Sequence, residues 1–164
     1  MEQLIDNIDF SRKSREIRDI ICLSEFKRLQ DLCLNVEDSI AFVLRGFENK
    51  HKEPCLELTI EGKLDLICQR CTGKLEHTIF LKSDFLIKKE ETQLTDFYID
   101  DHADYDLIEG SVKMDVLSLI EDEIILSLPG APKHEDVNCY HKKTDEMIDR
   151  IHPFADLKQK LYKN

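Results

Sequence analysis

Apolar side chains recur along this chain at every second position in its first half and at every third or fourth later on. In residues 39–47, SIAFVLRGF, Ile40, Phe42 and Leu44 fall on one side of an extended backbone. In residues 55–68, Leu56, Leu58 and Ile60 point one way and Glu57, Thr59 and Glu61 the other. Past Gly62 a second alternation runs through Leu64, Leu66 and Cys68, so Gly62 is expected to mark a bulge or bend. Residues 77–88 alternate again, with Ile79, Leu81, Phe85 and Ile87 among the apolar positions. A period of two is the signature of a half-buried strand. Three such runs joined by short turns predict an antiparallel meander.

The helical period dominates residues 112–128, where Leu117, Ile120, Ile124 and Leu128 share one face. Ser111 or Asp115 is placed to cap this helix, and Pro129-Gly130 stops it. A shorter helix is predicted over 25–33, capped by Ser24, with Phe26, Leu29, Leu32 and Cys33 at helical spacing. Residues 1–23 read as irregular, with one short strand over 3–10; residues 97–99 could add another inside a polar, acidic loop over 89–104. Residues 153–162 read as a short terminal helix opened by Pro153, with Phe154, Leu157 and Leu161 on one side. The predicted fold class is α+β. An antiparallel meander of about four to six strands, or a partly closed barrel, is packed by one long acidic helix and short terminal helices. Residues 1–152 are expected to form one domain and 153–164 a helix or tail.

With 164 residues the chain is long enough to bury a core without disulfides. Its most apolar stretch, 116–128, is interrupted by Glu121, Asp122 and Glu123, so no membrane span is expected. The first ten residues lack a basic patch followed by an apolar run, so no secretory signal is expected and the cytoplasm is the predicted location. The formal charge is −11, and its placement matters more than its size. Residues 90–123 hold twelve acids and one base, Lys113, which is the whole excess. Arg12, Lys13, Arg15 and Arg18 form a basic stretch near the start; His141, Lys142 and Lys143 follow the last cysteine; Lys158, Lys160 and Lys163 close the chain. Basic segments of this kind can neutralise phosphates, whereas an acidic band attracts basic proteins. Glu121, Asp122 and Glu123 fan around a helix axis and do not converge as an acid–base pair, which leaves an exposed acidic helix edge as the plain alternative to a partner contact.

Of the six cysteines, Cys22, Cys33 and Cys55 sit in apolar patterns and are expected as small hydrophobic filler. Cys68-Gln69-Arg70-Cys71, followed by Thr72-Gly73, lies between two strand patterns and so on a turn. Two thiolates on such a turn can share one tetrahedral site, and a following glycine lets backbone N–H groups face the sulfurs. That is half a zinc site; the loop after the long helix offers His134, Cys139 and His141 for the rest. Cys68, Cys71, His134 and Cys139 are therefore the candidate zinc ligands, against the alternative of thiols that simply close a turn. A thioredoxin-like reading fails because a strand, not a helix, follows Cys71. A zinc-deaminase reading fails because Cys55, after His51-Lys52-Glu53-Pro54, has no second cysteine three residues on. No phosphate-binding glycine loop, nucleophile elbow or H-E-x-x-H motif is present.

Taken in order, Cys68-x-Arg70-Cys71 after a strand, the run from Glu121 to Pro129, Pro132 and His134 before Cys139, and Pro153-Phe154 with Leu157 and Lys158 resemble the YceD-like family of large ribosomal RNA subunit accumulation proteins. The resemblance runs from about residue 56 to the end. It implies a role in synthesis, processing or stability of large-subunit (23S) ribosomal RNA, with no catalytic residues to carry over. It also implies relatives with a more cysteine-rich loop, often with Cys in place of His134. The expected protein is a non-enzymatic ribosome-biogenesis factor whose partner is ribosomal RNA or its precursor, a ribosomal protein, or both. Contacts are expected through Arg12, Lys13, Arg15, Arg18, Lys158 and Lys160, or through Glu121, Asp122 and Glu123. The alternatives are a zinc-ribbon-like interaction module and a metal-dependent RNA-processing enzyme.

Overall fold

A computed structural model describes residues 4–88, 105–136 and 139. The described chain opens with strand β1 (Leu4–Ile5) and helix α1 (Asn7–Arg12). Strands β2 (Glu16–Cys22), β3 (Ser39–Glu48), β4 (Pro54–Ile67), β5 (Lys74–Lys88) and β6 (Asp106–Glu109) follow, then β7 (Met114–Asp115) and helix α2 (Val116–Ser127). The fold is mostly sheet with few helices. β2 to β6 form one sheet in chain order, and β1 pairs with β7 in a second, two-stranded one. β2 through β5 are antiparallel neighbours, whereas β6 runs parallel to β5, with Phe85 opposite Asp106 and Lys88 opposite Glu109.

Among the described residues the sheet is open and does not form the expected partly closed barrel. Its edges are β2 and β6, which do not pair with each other. β6 spans only four residues, and β2 exposes Glu16, Arg18 and Asp19. A short strand and a charged strand are both poor templates for further pairing.

Register explains which face is buried. Phe42, Ile60 and Leu81 stand in one transverse row, and Gly46, Leu56 and Phe85 in another. These rows face the core, where Ile40, Leu44, Leu56, Leu58, Ile60 and Leu64 are fully buried; Cys55 and Leu86, paired on the other face, are fully buried as well. The opposite face carries Ile20, Ala41, Glu61 and Phe80 in one row, and Phe80 is 76% exposed. The expected bulge at Gly62 is absent: pairing runs unbroken through Ile40, Gly62 and Ile79. Glycine is there for space, since a Cβ would lie 2.9 Å from the Ile40 Cγ2.

The alternation that predicted β3, β4 and β5 matches their bounds to within three residues, β5 beginning at Lys74. α2 begins at Val116 rather than at residue 112, because Met114 and Asp115 are already paired with Ile5 and Leu4. Asp115 is the cap, its carboxylate accepting from the Leu117 N–H at 3.0 Å. Val116, Ile120 and Ile124 are fully buried against the sheet.

Three local expectations change in the N-terminal third. Of the described part of the strand predicted over 3–10, Leu4–Ile5 is extended; Asp6 accepts the Asp9 N–H at 2.9 Å and starts α1 instead. That helix is held by buried Asn7, whose side-chain amide donates to the Glu109 carbonyl and accepts from the Ser111 N–H, each at 2.9 Å. Residues 16–22 are an ordered edge strand rather than irregular chain. The predicted helix over 25–33 is replaced by two single 3-10 turns, Leu23–Glu25 and Leu29–Asp31. A tertiary contact overrides helical spacing there: the Glu121 carboxylate accepts the backbone N–H groups of Arg28 at 2.6 Å and Leu29 at 3.2 Å. The residues expected to form an acidic loop over 89–104, a strand over 97–99 and a helix over 153–162 lie outside the described residues.

Glu121 makes a testable contribution. Burial pushes its carboxyl up, but the Arg28 guanidinium and the Arg28 and Leu29 N–H groups outweigh this, so its folded pKa lies below the ordinary 4.5. A depressed folded value means the contribution is present above the unfolded pKa and is lost as pH falls through the folded one. Glu121→Gln keeps an acceptor and removes the charge, and should cost about 1–2 kcal/mol at neutral pH. Urea titrations should show the gap from wild type holding constant above pH 5.5 and shrinking below about pH 4.5. A gap unchanged at low pH would remove the charge from the explanation.

Candidate metal centre

The turn between β4 and β5 is shaped by its backbone. The Cys68 N–H donates to the Gly73 carbonyl and the Thr72 N–H to the Cys68 carbonyl, each at 2.9 Å. The left-handed position falls on Thr72, with φ of 56°, and not on Gly73. Gly73 serves by its size, because a Cβ there would stand 3.3 Å from the Cys71 sulfur.

The segment after α2 is fastened onto this turn at several points. The Gln69 N–H donates to the Pro132 carbonyl at 2.8 Å. The Arg70 guanidinium donates to the carbonyls of Asp136 at 3.0 Å and His134 at 3.4 Å. These bonds bring His134 and Cys139 to the two turn cysteines. The Sγ atoms of Cys68, Cys71 and Cys139 and a ring nitrogen of His134 all lie within 4.8 Å of one another.

The imidazole is oriented for coordination. His134 Nε2 sits 2.8 Å from the Lys74 carbonyl, and Nδ1 sits 3.5 Å from the Cys71 Sγ. A carbonyl can only accept, so Nε2 carries the proton and Nδ1 presents its lone pair to the thiols. Cys68 is fully buried, while Cys71, His134 and Cys139 are half-buried. Burial pushes the Cys68 thiol up. The N–H groups of Cys71, His134 and Arg70, with the Cys71 thiol, outweigh this and bring it down to about 5. Cys139 is pushed up, first by burial and then by the Cys71 and Cys68 thiols.

The donors fit a structural zinc ion. Three sulfurs and one imidazole are a common tetrahedral set, and Zn–S bonds of about 2.3 Å place ligand atoms roughly 3.8 Å apart. The observed cluster would need to draw in by only about 1 Å. The remaining cysteines stand apart from this cluster as thiols: Cys33 and Cys55 are buried, and Cys22 donates to the Val36 carbonyl at 3.2 Å.

The other candidate residues are dispersed. Lys13 pairs with Asp9 at 2.8 Å and Arg15 lies 3.8 Å from the same carboxylate. Arg18 pairs with Glu16, which also holds Arg45 at 2.5 Å; Arg18 and Arg45 hold the Glu16 carboxyl down at about 2. Arg12, exposed in the last turn of α1, has no ion pair among the described residues. The N-terminal basic stretch is thus largely offset by its own neighbours. Glu121, Asp122 and Glu123 are not an exposed acidic edge. Glu121 is buried, Glu123 accepts from the Ser83 hydroxyl, and exposed Asp122 pairs with Arg28 at 2.6 Å. Lys158, Lys160 and His141 lie outside the described residues.

The C-x-x-C spacing marks Cys68 and Cys71, and the residue types of the later loop offer His134 and Cys139, but neither signal shows what holds them. The Lys74 carbonyl orients His134 and Arg70 binds carbonyls, and backbone acceptors leave no residue-type signal. Among the described residues no helix is long and apolar enough to cross a membrane.

An open sheet backed on one face by a short helix, with a Cys3His cluster gathered from a turn and a distant segment, defines a small α+β protein with a group of side chains that could hold a metal ion. The family model described as large ribosomal RNA subunit accumulation protein YceD matches residues 56–159, well over half the sequence, and the chain belongs to that family. It is 23% identical over 169 residues to the large ribosomal RNA subunit accumulation protein YceD of Haemophilus influenzae, covering 95% of each chain. No solved structure matches. The matched residues contain both halves of the cluster.

Proposed function

We propose that this protein is a non-enzymatic ribosome-biogenesis factor that supports synthesis, processing or stability of 23S ribosomal RNA by binding that RNA, a ribosomal protein, or both. Family membership over residues 56–159 carries this reading. The geometry supports a binding role over a catalytic one. The acidic triplet is spent on Arg28, Ser83 and backbone N–H groups, so it offers no convergent acid–base pair. The thiols and imidazole face each other.

Cys68, Cys71, His134 and Cys139 would hold one structural zinc, which ties the segment after α2 to the β4–β5 turn. The ion would supply cross-linking and no reaction chemistry, since four protein ligands leave no open position.

Depleting the protein in its own host should lower 23S RNA relative to 16S RNA. A plasmid copy should restore the ratio at least threefold better than empty vector, read by RNA gel or sequencing. Failure of the wild-type copy to restore a depleted ratio, or no change on depletion, would sink the role.

A further inference from the structure

At the C-terminal end of α2, beside the metal cluster, lies an open cleft of about 240 Å³. Its walls are Leu32, Leu66, Ile125, Leu128, Pro129 and Pro132, with Asp31 at its rim. Leu32 is 43% exposed, so one wall is presented to solvent. The volume suits one leucine- or phenylalanine-sized side chain.

Two independent features make this cleft electronegative. Asp31 has no ion pair among the described residues. The last turn of α2 contains no basic residue, so no cationic side chain there offsets the negative end of the helix dipole, although the Leu128 N–H caps the Ile124 and Ile125 carbonyls. Arg28, the nearest basic residue before Asp31 in the chain, is committed to Glu121 and Asp122. Asp31 is the one charged residue among those lining the cleft; Lys133 and Arg70 each adjoin a lining residue, and the Arg70 guanidinium is turned to the His134 and Asp136 carbonyls. An apolar slot with a negative rim selects an apolar side chain flanked by cations. Nucleic acid, whose backbone is anionic, is disfavoured there.

We propose that this cleft docks a basic protein segment in which a leucine or aromatic anchor lies next to lysine or arginine. It deepens the biogenesis reading and rests on it only for the choice of large-subunit ribosomal proteins as the source. The anchor enters between Leu32 and Leu128, and the flanking cation meets Asp31 and the α2 terminus. Buried anchors of this kind dominate binding energy. Pro129 and Pro132 belong to the segment fastened at the metal cluster, so the cleft needs that fastening to keep its second wall.

The test uses the full chain against individually purified large-subunit ribosomal proteins and, separately, 23S RNA, by biolayer interferometry. Leu32→Glu and Asp31→Lys change exposed positions, and Phe80→Lys on the opposite sheet face is the control. At least one basic protein should bind, with its Kd raised tenfold or more by L32E, about fivefold by D31K, and unchanged by F80K. Binding to RNA alone, indifference of protein binding to both cleft variants, or no binding at all would overturn the proposal. Self-association abolished by L32E would also overturn it, by placing a second copy in the cleft. Rescue of the depleted host separates the two readings. If the cleft variants restore 23S RNA as fully as wild type, the cleft falls and the role stands; if wild type fails, the role falls.

Discussion

Gly46→Val should leave little folded protein at room temperature, and Gly46→Ala should already lower stability by about 3 kcal/mol. The reason is a backbone crossing. A Cβ at this position would stand 2.6 Å from both the Phe10 carbonyl oxygen and the Ser11 Cα. Neither atom belongs to a flexible side chain that could swing away. The Gly46 N–H also donates to the Arg15 carbonyl at 2.8 Å, so β3 cannot shift without breaking its link to the chain after α1. Its φ is not in the left-handed region, so the cost is steric and not conformational. Urea melts followed by circular dichroism give the measurement; a loss under about 1 kcal/mol for alanine would mean that α1 lifts away freely.

The second large effect concerns the metal cluster. Protein purified without a histidine tag should contain about one zinc per chain by mass spectrometry, and Cys68→Ser and Cys139→Ser should each contain almost none. Structural zinc in small peptides is worth about 10–16 kcal/mol of apparent binding free energy. Most of it would not appear here as global instability, because the sheet core does not depend on the cluster. The loss should be local. Hydrogen exchange at Gln69 and Cys139, whose amides bond the Pro132 and Asp136 carbonyls, should accelerate at least a hundredfold, while amides within β3 and β4 stay protected. Substoichiometric metal in the wild type, with both mutants indistinguishable from it, would reduce Cys68 and Cys71 to turn residues.

The parts of this fold legible in the sequence are those where burial alone decides the residue type. β3, β4 and β5 bury apolar residues at alternate positions through most of their length, as at Ile40, Phe42 and Leu44 and at Leu56, Leu58 and Ile60, although Phe85, Leu86 and Ile87 are buried in succession at the end of β5, and α2 keeps Ile120 and Ile124 on its covered side. β2 was hidden because it is an edge, with Ile20 71% exposed among Glu16, Arg18 and Asp19. α1 was hidden because a six-residue helix is set by its Asp6 cap and Asn7 anchor, not by periodicity. The helical spacing at Phe26, Leu29 and Cys33 misled for the opposite reason. Those side chains are indeed buried, but the backbone between them is claimed by Glu121, 93 positions away from Arg28. At the cluster, thiol spacing exposed Cys68 and Cys71, and the company of His134 and Cys139 completed the set. Helix geometry separates the members of the acidic triplet in the sequence, but it does not say which of them turns inward; the structure buries Glu121.

The pairing of β1 with β7 joins Leu4 to Asp115 and Ile5 to Met114, and Asn7 reaches to Glu109 and Ser111. During synthesis at about 5–20 residues per second, the first strand therefore waits roughly 5–20 s for its partner to emerge. Until then α1 lacks the contacts that anchor Asn7, and Gly46 offers a close-fitting seat to a helix that has yet to settle. Nascent chains arrested before β7 should remain protease-sensitive at their amino-terminal end. For this protein, completion of the fold is a late event on the very machine whose RNA its family helps to accumulate.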